Sequence, residues 1–129
     1  MPIAAALKVL VVDDQNSVRQ MTRMTLEQIG VRHIHEAENG QEAMNTASLQ
    51  PLDLIISDYN MPVMDGLNFL RAVRGHPASR RVPFILLTGR GDRELVVKAA
   101  QAGVNNYLVK PFTAEILRQK IEQVIGKLS

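Results

Sequence analysis

The chain has 129 residues, 46% of them hydrophobic and 22% charged, which fits one globular domain with a single core and excludes collagenous, low-complexity and disordered classes. With no Cys it has no disulfide framework, thiolate metal site or thiol nucleophile, and its longest uninterrupted apolar run, residues 3–7, is far too short to span a bilayer. The formal net charge of +2 hides an asymmetry, 4 Lys/Arg against 8 Asp/Glu in residues 1–64 and 11 against 5 in residues 65–129; the charges are interleaved and only 4% of residues are aromatic, which argues against nucleic-acid binding.

Beyond the first six residues, short apolar runs alternate with stretches of helical period. Lys8 to Val12 is a Val/Leu run stopped by two carboxylates, and predicts a first strand. Val18, Met21, Thr25 and Ile29 recur at helical spacing, with Gly30 as a left-handed stop. A weaker strand is expected over His33 to Ala37, then a helix over Gly40 to Ser48 with Asn39 as its cap. Leu52 to Ser57 predicts a third strand, and Asp65 can cap a helix running through Arg74. Pro83 to Leu87 predicts a fourth strand, Asp92 a cap for a helix through Ala102 ended by Gly103, and Asn106 to Val109 a weak fifth strand. Thr113 caps the last helix, in which Leu117, Ile121, Val124, Ile125 and Leu128 form one apolar stripe.

Five strand-helix pairs in strict alternation predict an α/β fold, a single doubly wound parallel sheet of five strands with helices on both faces. Ligands in such sheets bind at the carboxyl ends of the strands. At that rim the sequence places Asp13 and Asp14 after the first strand, Asp58 just past the third, Thr88 at the end of the fourth and Lys110 at the end of the fifth. Three crowded carboxylates repel one another, so the cluster wants a cation when folded, and an all-oxygen ligand set favours Mg²⁺ over Zn²⁺. A carboxylate nucleophile, a divalent cation, a fixed ammonium and a hydroxyl donor together suit phosphoryl transfer to Asp.

The residues that carry this chemistry stand in longer motifs: Val-Val-Asp-Asp at 11–14, Ser-Asp-Tyr-Asn-Met-Pro at 57–62 with Met-Asp-Gly at 64–66, Leu-Thr-Gly at 87–89 and Lys-Pro-Phe at 110–112. Together they resemble the receiver domain of two-component response regulators over roughly residues 7–128, and within that family its stand-alone chemotaxis regulators. The resemblance implies a flavodoxin-like (βα)5 fold with strand order 2-1-3-4-5. It implies one response regulatory domain over residues 1–129 with no output domain.

By the same resemblance Asp58 is the phosphoacceptor. Asp14, Asp58 and the backbone carbonyl of Asn60 hold Mg²⁺, with Asp13 acting on it mainly through water. Lys110 pairs with the phosphoryl group, Thr88 donates its hydroxyl to it, Tyr107 is an aromatic switch, and the Lys110-Pro111 bond is cis. The expected role is a phosphoacceptor signalling protein, not an enzyme acting on a separate substrate, although such proteins assist their own phosphorylation and dephosphorylation. A histidine kinase would be the donor. The target would dock on the face of the fourth helix, fifth strand and fifth helix, and a flagellar motor switch is the target that chemotaxis implies. Neither DNA nor membrane is an expected partner, and the chain should be a cytoplasmic monomer. One departure is Arg90, where the chemotaxis regulators carry a carboxylate; it bears on phosphoryl lifetime.

Other readings use the same residues. A phosphorelay intermediate would need the same rim. An aspartyl-phosphate hydrolase needs a general acid two residues after its nucleophile, where this chain has Asn60, and a cap for which no insertion is long enough. A cyclic-dinucleotide adaptor could use Arg19 with Arg23 and Arg90 with Arg93 to grip phosphates, against the blander reading that these are solvated helix arginines. His33, His35 and His76 lie away from the strand ends and support neither metal binding nor acid-base work.

Overall fold

A computed structural model of the chain describes residues 2–89 and 93–129. Five strands and five helices alternate: β1 (Lys8–Val12), α1 (Asn16–Ile29), β2 (His33–Ala37), α2 (Gly40–Leu49), β3 (Leu54–Asp58), α3 (Gly66–Gly75), β4 (Phe84–Thr88), α4 (Arg93–Gln101), β5 (Asn106–Val109) and α5 (Ala114–Ile125). All strand pairs are parallel, in the order β2-β1-β3-β4-β5. The chain therefore has the doubly wound flavodoxin-like fold expected from the alternation and the resemblance. Among the described residues no helix is long and apolar enough to cross a membrane.

The period-2 alternation of the strands divides the core in two. Val9, Val11, Leu54, Ile56, Ile85 and Leu87 point to the face covered by Leu26 of α1 and by Leu117 and Ile121 of α5. Leu10, Val12, Ile55, Phe84 and Leu86 point to the other, against Ala43, Leu70, Val73, Leu95 and Ala99 of α2, α3 and α4. Both faces of β3 and β4 are buried, which is why their sequences read as unbroken apolar runs.

The structure corrects several expectations. β3 starts at Leu54, because Asp53 turns back to exchange hydrogen bonds with Lys8, its amide donating to the Lys8 carbonyl at 2.8 Å and its carboxylate accepting from the Lys8 amide at 2.8 Å. β3 ends on Asp58, which pairs with Leu87, and not one residue before it, and β4 is likewise shifted by one to end on Thr88, which pairs with Val109. In α1 the buried positions are Arg19, Thr22, Leu26 and Ile29, so the inward face is turned from the predicted one, and Met21 is 66% exposed. Apolar spacing does not mark this face, because its first inward position is an Arg. α5 ends at Ile125 on Gly126, whose φ of 98° breaks the helix. Leu128 nevertheless reaches the core, with its amide on Glu122 Oε2 at 2.8 Å. The opening residues also fold: Ala4–Ala6 is a 3₁₀ turn, and Ser129 exchanges backbone hydrogen bonds with Pro2 and Ala4, each at 3.0 Å. Asp92, the expected cap of α4, lies outside the described residues.

Two turns control how the rim is presented. Gly66 opens α3 directly under Asp58: a Cβ there would collide with the Asp58 carbonyl and lie 2.9 Å from the Tyr59 Cα and from Leu86 Cδ1. Only glycine lets the helix start this close to the strand end. Val63, in the loop between β3 and α3, has φ 71° and is 99% exposed. A β-branched residue gains nothing from burial there, and left-handed backbone costs it roughly 1–2 kcal/mol. Val63→Asn is expected to raise stability by about 1 kcal/mol, read as a higher urea midpoint at unchanged m-value; an unchanged or lower midpoint would show that the loop carries no such strain.

Candidate functional site

The parallel register brings the ends of β1, β3, β4 and β5 to one rim, with Val12 opposite Ser57, Asp58 opposite Leu87 and Thr88 opposite Val109. Carboxylate oxygens of Asp13, Asp14 and Asp58 lie within 4.8 Å of one another there. Asp13 and Asp58 are buried while Asp14 is exposed. Lys110, just past β5, reaches back to place Nζ 2.8 Å from Asp58 Oδ1. Its amide donates to the Thr88 carbonyl at 2.8 Å, so β4 and β5 end together. The Lys110-Pro111 bond is cis, as expected. Thr88 is buried at the same rim. Asn60 is exposed, and with Asp14, Tyr59, Met61, Pro62 and Asp65 it lines an open depression of about 470 Å³.

The electrostatics single out Asp13. Its Oδ1 accepts from the Gln15 amide at 3.0 Å, whereas its Oδ2 is buried and, among the described residues, has no hydrogen-bond partner. Burial raises its carboxyl above the ordinary carboxylate value, opposed by the Gln15 amide and the Lys110 charge and reinforced by Asp58 and Asp14. For Asp13 burial therefore outweighs like-charge repulsion, while Lys110 stands as the counter-ion of Asp58. An orphaned buried carboxylate oxygen beside two further carboxylates is a donor set that a hard divalent cation fits.

Because folding raises the Asp13 pKa, its contribution to stability is fully present only below the ordinary value of 3.8 and is lost as pH rises through the folded value. Asp13→Asn in chelator is therefore expected to be more stable than the parent at pH 7 by about 1 kcal/mol, the lower end of the cost of a buried unsatisfied acceptor. Its advantage should shrink as pH falls toward that ordinary value. Denaturation curves at several pH values decide it: a variant less stable than the parent at pH 7, or an advantage that grows on acidification, contradicts this account.

Tyr107 of β5 is half-buried, with Lys120 Nζ of α5 5.4 Å from its ring centroid. It packs against the α2-α3-α4 side of the core, away from the carboxylate cluster in sequence but joined to the rim through β5. Arg19 is buried and Arg23 is partly exposed, and neither guanidinium is free for an external phosphate. Both donate to Glu36 of β2, Arg19 Nε at 2.9 Å to Oε1 and an Arg23 terminal nitrogen at 2.8 Å to Oε2. Of the second pair, Arg93 is exposed and Arg90 lies outside the described residues. The inward turn of Arg19 carried no sequence signal beyond its spacing from Arg23, since Glu36 is remote in the chain. His76 is used locally, its Nδ1 accepting from the Ala78 amide at 3.2 Å.

Residues 9–122 match the response regulator receiver domain family. The chain is 48% identical over 128 residues, 99% of both chains, to the Rhizobium etli "Probable chemotaxis protein CheY". It is 37% identical to chemotaxis protein CheY of Pseudomonas aeruginosa, covering 95% of this chain and 99% of that one. Among solved structures, Vibrio cholerae chemotaxis protein CheY4 superposes with TM-score 0.86 at 39% identity, over 92% of this chain and 98% of that one. A receiver domain of a Pseudomonas aeruginosa sensor histidine kinase, with a magnesium ion coordinated in its active-site cleft, gives TM-score 0.85 at 31% identity over 94% and 98%.

Proposed function

The chain belongs to the response regulator receiver domain family, and from that premise we propose that it is a single-domain chemotaxis response regulator that accepts a phosphoryl group on Asp58 from a histidine kinase. The observation that carries the reading is the rim itself: three carboxylates within 4.8 Å, one with an orphaned buried oxygen, and an ammonium already on Asp58. Asp13, Asp14, Asp58 and the Asn60 carbonyl would hold Mg²⁺. When bound, the ion would offset the negative charge of the incoming phosphoryl oxygens. In the transfer a carboxylate oxygen of Asp58 bonds to phosphorus as the P–N bond to the donor imidazole breaks, the electron pair leaving with the nitrogen. Lys110, held 2.8 Å from Asp58, supplies a fixed positive charge at one equatorial oxygen, and the Thr88 hydroxyl a donor to another.

Thr88 and Lys110 are joined by the β4-β5 hydrogen bond, so movement of either toward a phosphoryl group is felt in β5 and at Tyr107. The surface of α4, β5 and α5 exposes Val97, Val109 and Ile116 among basic side chains, which suits a partner segment with both acidic and apolar residues. As in the CheY relatives, the role is chemotaxis signalling; control of a flagellar motor switch by a cytoplasmic monomer is the specific form proposed. A cyclic-dinucleotide adaptor gains no support from Arg19 and Arg23, because Glu36 already engages both arginines of that first pair. The reading is tested by a pull-down comparing unmodified protein with its fluoroberyllate complex. A protein retained by the complex and not by the unmodified form is expected; equal retention rejects the switch.

A further inference from the structure

Arg19 is the most buried cation of the described residues, 7% exposed, and its guanidinium is fully directed. Nε donates to Glu36 Oε1 at 2.9 Å, one terminal nitrogen to Asn16 Oδ1 at 2.7 Å, and the other to the backbone carbonyl of Asp13 at 2.9 Å. Glu36 is itself held by Gln20 at 2.6 Å and by Arg23 at 2.8 Å, and sits opposite Val11 in the β1-β2 register. A purely structural α1-β2 ion pair needs only the Glu36 bond. The third bond lands elsewhere, on the peptide that joins Asp13 to Asp14.

Asp13 is held through both of its flanking peptides, and the one it shares with Asp14 is held by Arg19. The Asp13 amide donates to the Ala37 carbonyl of β2 at 3.1 Å, and its carbonyl accepts from Arg19 of α1. A change in the Asp13 ψ or the Asp14 φ would redirect Asp14 relative to Asp13, and the guanidinium, by fixing the carbonyl between them, sets how the two carboxylates converge on Asp58. It does so by geometry. Among the described residues the charges that shift the Asp13 carboxyl are those of Asp58, Lys110 and Asp14, while Glu36 lies between Arg19 and Arg23 in a local network. A lysine ammonium lacks the planar fork needed to serve Glu36, Asn16 and Asp13 at once.

We infer that Arg19 is a positioning residue of the cation site, holding the Asp13-Asp14 peptide so that the two carboxylates and Asp58 present a tight oxygen set. The inference rests on the reading of the rim as a Mg²⁺ site. Mg²⁺ demands near-octahedral ligands and Ca²⁺ tolerates irregular ones, so a loosened peptide penalises Mg²⁺ more. Outer partners of metal ligands typically contribute 10–100-fold in affinity.

The experiment is calorimetric titration of the full chain with MgCl₂ and, separately, CaCl₂, for the parent, Arg19→Lys and the double variant Arg19→Met/Glu36→Gln. The double variant removes the arginine without leaving Glu36 as an uncompensated charge, and a denaturation curve in chelator establishes that it folds. Arg19→Lys keeps the ion pair with Glu36 and carries the same comparison if the double variant unfolds. Mg²⁺ affinity is expected to fall about tenfold or more, with a smaller loss for Ca²⁺. A folded variant with the parent's Mg²⁺ affinity, or with Mg²⁺ and Ca²⁺ weakened alike, overturns the positioning role and leaves Arg19 a structural residue. A parent that binds no Mg²⁺ overturns the reading of the rim, and the inference with it.

Discussion

Asp58→Asn is expected to abolish phosphorylation. With a small acyl-phosphate donor, the parent should gain the mass of one phosphoryl group in Mg²⁺ and the variant none, because the amide has no anionic oxygen to attack phosphorus. Chelator should abolish the gain in the parent. Without a cation, three carboxylates within 4.8 Å face the incoming anion, and among the described residues Lys110 is the ammonium that opposes them. Asp14→Ala should fail similarly, since Asp14 is the exposed member of the cluster and the one that lines the open depression through which a donor and a hydrated ion arrive. The loss expected is at least that of one preorganised electrostatic group, about 10²–10³ in rate. Equal mass gain in Asp58→Asn, or in chelator, would move the acceptor elsewhere and reject the proposed site.

The second large effect is on partner binding. Coupling between two sites is typically worth 1–3 kcal/mol, so phosphorylation should tighten the partner on the order of tenfold or more. Thr88→Ala and Lys110→Ala should accept phosphate more slowly, each lacking one donor to the transferred group, and once phosphorylated should lose that gain, because each breaks the path from the phosphoryl group to β5. Lys110→Ala also strips Asp58 of its counter-ion, so its folding is verified before its affinity is measured. Lys120→Glu should weaken binding in both states: it reverses a charge on the proposed docking face and removes the cation lying over the Tyr107 ring. On the same face Lys98 pairs with Glu94 at 3.2 Å and Arg118 with Glu122 at 3.7 Å, which leaves less positive charge for a partner than residue counts imply. Affinity should still fall as salt rises, since exposed charges are screened over about 10 Å at 0.1 M ionic strength. Affinity that is insensitive to salt and to Lys120→Glu would place the partner on another face. A phosphorylation response unchanged in both Thr88→Ala and Lys110→Ala would reject the coupling path.

By itself the sequence determined the alternation of strands and helices, the two-sided burial of β3 and β4, most caps, and the chemistry gathered at the strand ends. These are local properties: an apolar run, a glycine at φ 110° after α1 or an Asp65 side chain accepting from the Asn68 amide at 2.8 Å depends on residues close in the chain. Periodicity alone did not order the strands, which came from the resemblance and which the parallel pairing bears out. Tertiary structure decided the features made by residues far apart. Asp53 bonding to Lys8 sets where β3 begins, and pairing of Asp58 with Leu87 of β4 carries it on to Asp58. Glu36, far from Arg19 in the chain, draws that arginine inward and turns the buried face of α1 away from Met21. The division of charge at the rim was equally nonlocal. Five side chains from four strand ends were legible as a cluster, but only packing shows that Lys110 pairs with Asp58 while, among the described residues, a buried oxygen of Asp13 is left without a partner, since which carboxylate receives the ammonium depends on burial and reach.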